Sequence, residues 1–203
     1  MEAAVSGNGP IATWIQRALL ALGAVCLGYV AYASVEARHF QRERAAAFDE
    51  QLSNAPSISG GSSAPIAVEE GSTVAMLEIP RLRITTPVVH GDSDAILDVA
   101  AGHLPDTPLP WQPGNSAIAA HRDTLFRPLR NVRIGDEIHV RTPHGEFTYT
   151  VRDTRIVKPS DLSVLEPTGH PMLTLITCYP FDYIGAAPKR FIVHAARTAT
   201  AAP

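Results

Sequence analysis

Nucleophilic chemistry in this chain has few candidates: two cysteines, and eight histidines that could serve them as proton carriers. Cys178 ends the run LTLITC, and Tyr179-Pro180 follows at once. The run alternates as a strand does, with Leu173, Leu175 and Thr177 on one face and Thr174, Ile176 and Cys178 on the other. Proline cannot donate to a ladder, so the expected strand stops there. A strand end opens onto a rim, where a thiol can meet a substrate; the plainer alternative is a small buried hydrophobe. The segment YPFDYIGAAP, residues 179–188, leads into a second β run over 189–195. Antiparallel pairing of the two runs would bring Cys178 near Lys189 or Arg190, within roughly 5–8 Å between Cβ atoms. A cation fixed beside a thiol favours the thiolate, and it also stabilises the oxyanion formed when a thiolate attacks a carbonyl. The plain alternative for Arg190 is a solvated charge on an edge strand.

A thiol nucleophile also needs a proton carrier. His39 lies in a polar stretch near the N-terminus. His90, His139 and His194 lie in or at the end of β runs, His144 in a turn, and His103 and His170 in loops near prolines. His121 differs, because it ends the small-residue run GNSAIAAH and opens HRDTLFRPL. That junction between strand and turn is a rim position like that of Cys178. Spacing alone does not bring the two together, and a structural histidine is the alternative.

The segments SAIAAHRDTLFRPLRNVRIGDEIHV and LTLITCYPFDYIGAAPKRFIVHA resemble the sortase family of cysteine transpeptidases, and its class D group in particular. Three motifs carry the resemblance: His121-Arg122-Asp123-Thr124, Thr174-Leu175-Ile176-Thr177-Cys178, and Arg190 at the opening of the next run. IPRLRITTPVVHG and PGNSAIAAH add to it, and it covers about residues 74–196. The resemblance implies an all-β fold, a closed eight-stranded barrel with short helices. It implies that Cys178 attacks a threonine carbonyl within a C-terminal sorting motif of a secreted protein. His121 would protonate the leaving amine and then deprotonate an incoming amine acceptor, while Arg190 would hold substrate and oxyanion. Thr177 and Asp123 are expected beside the substrate, Thr177 through its hydroxyl or backbone and Asp123 as an orienter of local structure. Two other readings stay open. Water could resolve the thioacyl intermediate, making a site-specific cysteine protease, or the barrel could be a non-catalytic, membrane-tethered peptide binder. No cofactor and no metal site are expected; Asp92, Asp94 and Asp98 fit a short helix rather than a calcium cluster.

The elements that must position these residues follow from composition and pattern. With 18% charged and 45% hydrophobic residues, the chain suits a globular domain with additions. Its net charge of −3, with arginines dispersed, argues against a nucleic-acid partner. Residues 18–35, ALLALGAVCLGYVAYASV, carry no charge and would make about 27 Å of helix, close to a hydrocarbon core. They read as a membrane anchor after a tail over 1–17. A cleaved signal peptide is the alternative, with Ala31-Tyr32-Ala33 as its cleavage site. Positive charges alone, Arg17 before the segment against Arg38, Arg42 and Arg44 after it, would put the C-terminal side in the cytoplasm. The chemistry that the resemblance implies argues for the opposite: a single-pass protein of the cytoplasmic membrane with its catalytic domain outside. Cys26 lies within the apolar segment, which leaves Cys178 free of an intramolecular disulfide partner. Residues 36–72 read as a helical stalk followed by a linker rich in Ser, Gly and Pro, and 73–203 as the catalytic domain. Within the latter, β runs are expected over 74–79, 82–90, 116–120, 173–177 and 191–195. Two more flank Pro143-His144-Gly145 as a hairpin, and a short helix is expected over 94–100.

Overall fold

The computed structural model of the protein describes residues 10–54 and 68–198. A single helix, α1, runs from Pro10 to Asn54 and unites the expected apolar segment with the helical stretch after it. Within it Ile11–Tyr32, 22 residues with a mean hydropathy of 1.5, is long and apolar enough to cross a bilayer. It starts earlier than the charge-free run because Arg17 interrupts the charge pattern without ending the helix. α1 passes through the boundary between two compact units, one ending at His39 and the next beginning at Phe40. In the second unit Phe48 is buried, and Gln41 Nε2 donates to the carbonyl of Val99 at 3.0 Å. The expected linker lies mostly outside the described residues; the chain resumes at Val68 and turns through Glu70-Gly71.

Eight strands follow: β1 Thr73–Ile79, β2 Ile84–His90, β3 Ala101–His103, β4 Asn115–Ala119, β5 Glu137–Thr142, β6 Gly145–Val157, β7 Met172–Tyr179 and β8 Lys189–Arg197. They form a closed barrel in the order β1-β2-β3-β4-β7-β8-β6-β5, with β5 paired back onto β1. Closure leaves no edge strand to protect. Alternation fills the interior: Leu77, Ile79, Ile118, Ile138, Val140 and Leu173 are among the residues that pack inside without solvent contact. Each such side chain contributes roughly 1.5–3 kcal/mol by leaving water.

β3 is the strand that the sequence pattern does not announce. Its three residues, Ala-Gly-His, come soon after the short helix α2, Asp94–Leu97. Gly102 explains why a strand fits there. A Cβ at this position would run into the Gly91 carbonyl and lie 2.9 Å from the Leu97 side chain, so only glycine lets the segment after β2 cross over β3. α2 is accordingly shorter than the helix expected over 94–100. His103, read as a loop residue, is instead a fully buried strand residue.

Two strand pairs are parallel, β2 with β3 and β4 with β7. The second needs a long connection, which the β5–β6 hairpin supplies. Its consequence is local: β4 and β7 end on the same side of the barrel.

Candidate active site

β7 and β8 pair antiparallel in a register that sets Cys178 opposite Arg190 and Tyr179 opposite Lys189. Of the two cations anticipated beside the thiol, the arginine is therefore the one directly across. Cys178 is a free, half-buried cysteine. Its strand neighbours Leu173, Leu175 and Thr177 point into the barrel, so the thiol is on the outer face. β7 ends at Tyr179, whose bond to Pro180 is cis.

β4 brings the histidine. Ala119 lies beside Ile176 in the parallel ladder, and the Ala120 amide donates to the Ile176 carbonyl at 3.2 Å. β4 ends at Ala119, and His121 follows two residues later on the chain leaving it. The β7–β8 register sets Cys178 beside Arg190, and the bonds of Ala120 to Ile176 and Thr177 bring the chain that leads into His121 against the end of β7. Thr177 ties two of these strands together: its hydroxyl donates to the Ala120 carbonyl at 2.7 Å. At 2% exposure the side chain faces inward, so only its backbone shares the rim with Cys178.

His121 is partly exposed, and its Nε2 lies 3.4 Å from Asp98 Oδ1. Asp98 closes α2, and no spacing or pattern links it to His121; the contact depends on how α2 folds over β3. Asp123 is exposed in the turn after His121. That turn is closed by the Phe126 amide donating to the His121 carbonyl at 3.0 Å, with the Phe126 ring buried beneath it. Behind it Asp136 pairs with Arg81 and accepts from the Arg133 amide at 2.8 Å. Its hydrogen bond to Arg81, against a smaller opposing effect of burial, holds the Asp136 carboxyl below the ordinary range.

Arg190 Nη1 donates to the carbonyls of Lys189 at 3.2 Å and Ala187 at 3.4 Å. The loop between β7 and β8 is held from the histidine turn. Arg122 Nη2 donates to the carbonyls of Tyr183 at 2.6 Å and Gly185 at 3.1 Å, and Arg130 Nη2 donates to Asp182 Oδ1 at 2.9 Å. Neither arginine stood out in the sequence as more than part of a motif. Among the described residues, no group of three or more His, Cys, Asp or Glu is placed to hold a metal ion.

The Sortase domain family model matches residues 77–198, most of the barrel. Sortase D of Bacillus subtilis (strain 168) is 37% identical over 130 residues, covering 64% of this chain and 66% of that relative, just under two thirds of its length. A Clostridium perfringens sortase D5 transpeptidase superposes with a TM-score of 0.66 at 24% identity, covering 78% of this chain and 98% of that one. A C. perfringens sortase C, solved with the C-terminal cell wall sorting motif, gives a TM-score of 0.59 at 25% identity over 77% of this chain and 86% of that one. The closed barrel and the match along its length agree with the motifs around His121 and Cys178, and this chain belongs to the sortase family.

Proposed function

We propose that this protein is a membrane-tethered cysteine transpeptidase acting on a C-terminal, threonine-containing sorting motif of secreted proteins. The observation that carries the reading is the direct pairing of Cys178 with Arg190 across β7 and β8, with Ala120, the residue before His121, bonded to the end of β7 beside them. The Cys178 thiolate attacks the threonine carbonyl carbon, and the carbonyl electrons move to oxygen. Arg190, the ladder partner of Cys178, is the cation that would stabilise that oxyanion. Collapse breaks the peptide C–N bond, and the leaving amine takes a proton from His121. His121, now neutral, removes a proton from an acceptor amine that attacks the thioacyl carbon and returns the thiolate. Asp98, 3.4 Å from His121 Nε2, supports the imidazole when it carries charge. Thr177 keeps β4 and β7 in register beneath it.

The Ile11–Tyr32 span is the anchor in this reading, and the barrel works on the extracytoplasmic side of the cytoplasmic membrane, where secreted proteins emerge. The sortase C solved with its sorting motif supports the substrate class for that relative, and family membership extends the expectation here. Incubation of the chain with sorting-motif peptides, with and without an amine acceptor, tests the reading by product mass. A thioacyl adduct on Cys178, absent in Cys178→Ala, and a ligated product with acceptor are expected. Cleavage with no ligation at any acceptor concentration would make it a protease, and binding with no adduct would make it a peptide-binding barrel.

A further inference from the structure

The ladder between β4 and β7 ends at Ala120 and Thr177, just before the reacting groups. His121 sits on the chain leaving β4; Cys178 and Arg190 bracket the loop leaving β7. Strand pairing therefore does not by itself hold the imidazole against the other two groups. The loop has little packing of its own to hold it: residues 182–186 are exposed, Ile184 by 98%. What reaches it comes from the turn that begins at His121. Arg122, the next residue, donates through Nη2 to the carbonyls on either side of Ile184, and its guanidinium lies 5.9 Å from the centre of the Tyr183 ring. Gly185, at φ +98°, takes the left-handed turn that presents the second of these carbonyls. Arg122 Nη1 is shut off from solvent and has no hydrogen-bond partner, while Nη2 makes its loop bonds at the surface. Just past the turn, in the 3-10 segment Arg127–Asn131, Arg130 pairs with Asp182 and lies 5.4 Å from the centre of the Phe181 ring. Beyond the clamp, the loop's Ala187 carbonyl accepts from Arg190, so the loop's position is also the position of that guanidinium.

We propose that Arg122 and Arg130 are positioning residues. They clamp the β7–β8 loop to the histidine turn, and through it hold Cys178 and Arg190 in register with His121. The inference rests on the transpeptidase reading for its kinetic consequence but not for its structural one. Neither arginine takes part in bond making; each acts through the loop that it grips.

Two measurements on Arg122→Gln, Arg122→Lys and Arg130→Gln in the full chain test this, with Arg83→Gln, away from the clamp, as control. The first is amide hydrogen exchange without substrate. The amides of residues 181–187 exchange faster in both Gln variants while β4, β7 and β8 keep their protection. The second is kinetics with a sorting-motif peptide. kcat/KM falls by roughly 10- to 100-fold, chiefly in kcat, because a displaced reacting group costs on that order. Arg122→Lys restores part of the loss, since an ammonium can still donate to the loop carbonyls but lacks the planar guanidinium that lies by the Tyr183 ring. Melting temperatures stay near that of the parent. Wild-type exchange in the loop of Arg122→Gln overturns the clamp, as does faster exchange with unchanged kcat and KM. Should Arg122→Gln not fold, Arg130→Gln and Arg122→Lys decide by the same criteria. A parent chain that forms no thioacyl adduct ends the transpeptidase reading, while the exchange measurement still decides the clamp.

Discussion

Thr177 is the residue whose part in the site changes most between sequence and structure. Next to Cys178 in a strand it reads as a contact for substrate; in the barrel its hydroxyl points inward to the Ala120 carbonyl, the last link between β4 and β7 before His121 and Cys178. Thr177→Val keeps the branched shape and removes the donor. The buried carbonyl is left unmet, which costs on the order of 1–3 kcal/mol. The expected outcome is a lower urea midpoint, together with a fall in acyl-transfer rate that persists in fully folded protein. An unchanged rate at unchanged stability would show that the strut does nothing. Cys178 and Arg190 were legible from sequence because their pairing is local: one loop joins two β runs, and antiparallel geometry does the rest. His121 was legible only through its motif, because a parallel ladder closed across the β5–β6 hairpin leaves no periodic trace in the sequence. Asp98, Arg122 and Arg130 carry no such trace either, since their contacts depend on where α2 and the β7–β8 loop come to rest.

At the scale of elements, the strand that pattern missed holds the most constrained pair of titratable groups. β2 and β3 run parallel and set His90 beside His103, with their Nδ1 atoms 3.1 Å apart. His103 Nε2 lies 3.0 Å from the Pro108 carbonyl, which only accepts, so Nε2 carries the proton. Neutral His103 then presents a bare Nδ1, and His90 donates to it. A second proton on His103 would set two N–H groups against each other unless His90 changed tautomer. Burial, with His90 adding a smaller effect and the Pro108 bond opposing, lowers the affinity of His103 for a proton below that of an ordinary histidine. The unfolded chain therefore binds more protons once pH falls below about 6.5, and stability falls with it in that window. Melting temperature should drop from pH 7.5 to pH 5.5, and His103→Gln should flatten that slope. An equal slope in both proteins would place the proton uptake elsewhere. No strand was expected over Ala101–His103 because alanine and glycine are poor strand formers; tertiary crowding at Gly102, not propensity, makes it one. The seven other strands were legible because each buries one face and alternates accordingly, or runs as a short apolar stretch between turns.

For the whole molecule, the closed barrel explains why distant segments meet at the site: eight strands without an edge leave few ways for β4, β7 and β8 to lie other than side by side. The N-terminal region is subtler. Composition separates an apolar segment, a charged helical stretch, a linker and a domain starting near residue 73, but the compact unit that holds the barrel begins at Phe40. Composition cannot show this because α1 is polar on most positions after His39, and of its two phenylalanines there, Phe40 and Phe48, only the second is buried. Phe48 is 1% exposed, and Gln41 bonds to Val99, next to the Asp98 that faces His121. Removing a buried phenylalanine ring costs about 3–5 kcal/mol in a packed core. A chain beginning at Phe40 should therefore unfold at a higher urea concentration than one beginning at Val68, with a gap of about 3 kcal/mol after extrapolation. Phe48→Ala in the longer chain should reproduce most of that gap. Coincident unfolding curves for the two chains would show instead that the barrel is complete without the helix and that α1 after His39 is only a spacer. The shorter chain is also expected to lose acyl-transfer rate in excess of its lost stability, because Val99 and Asp98 share one segment. Equal rates per folded molecule would separate the helix from the site altogether.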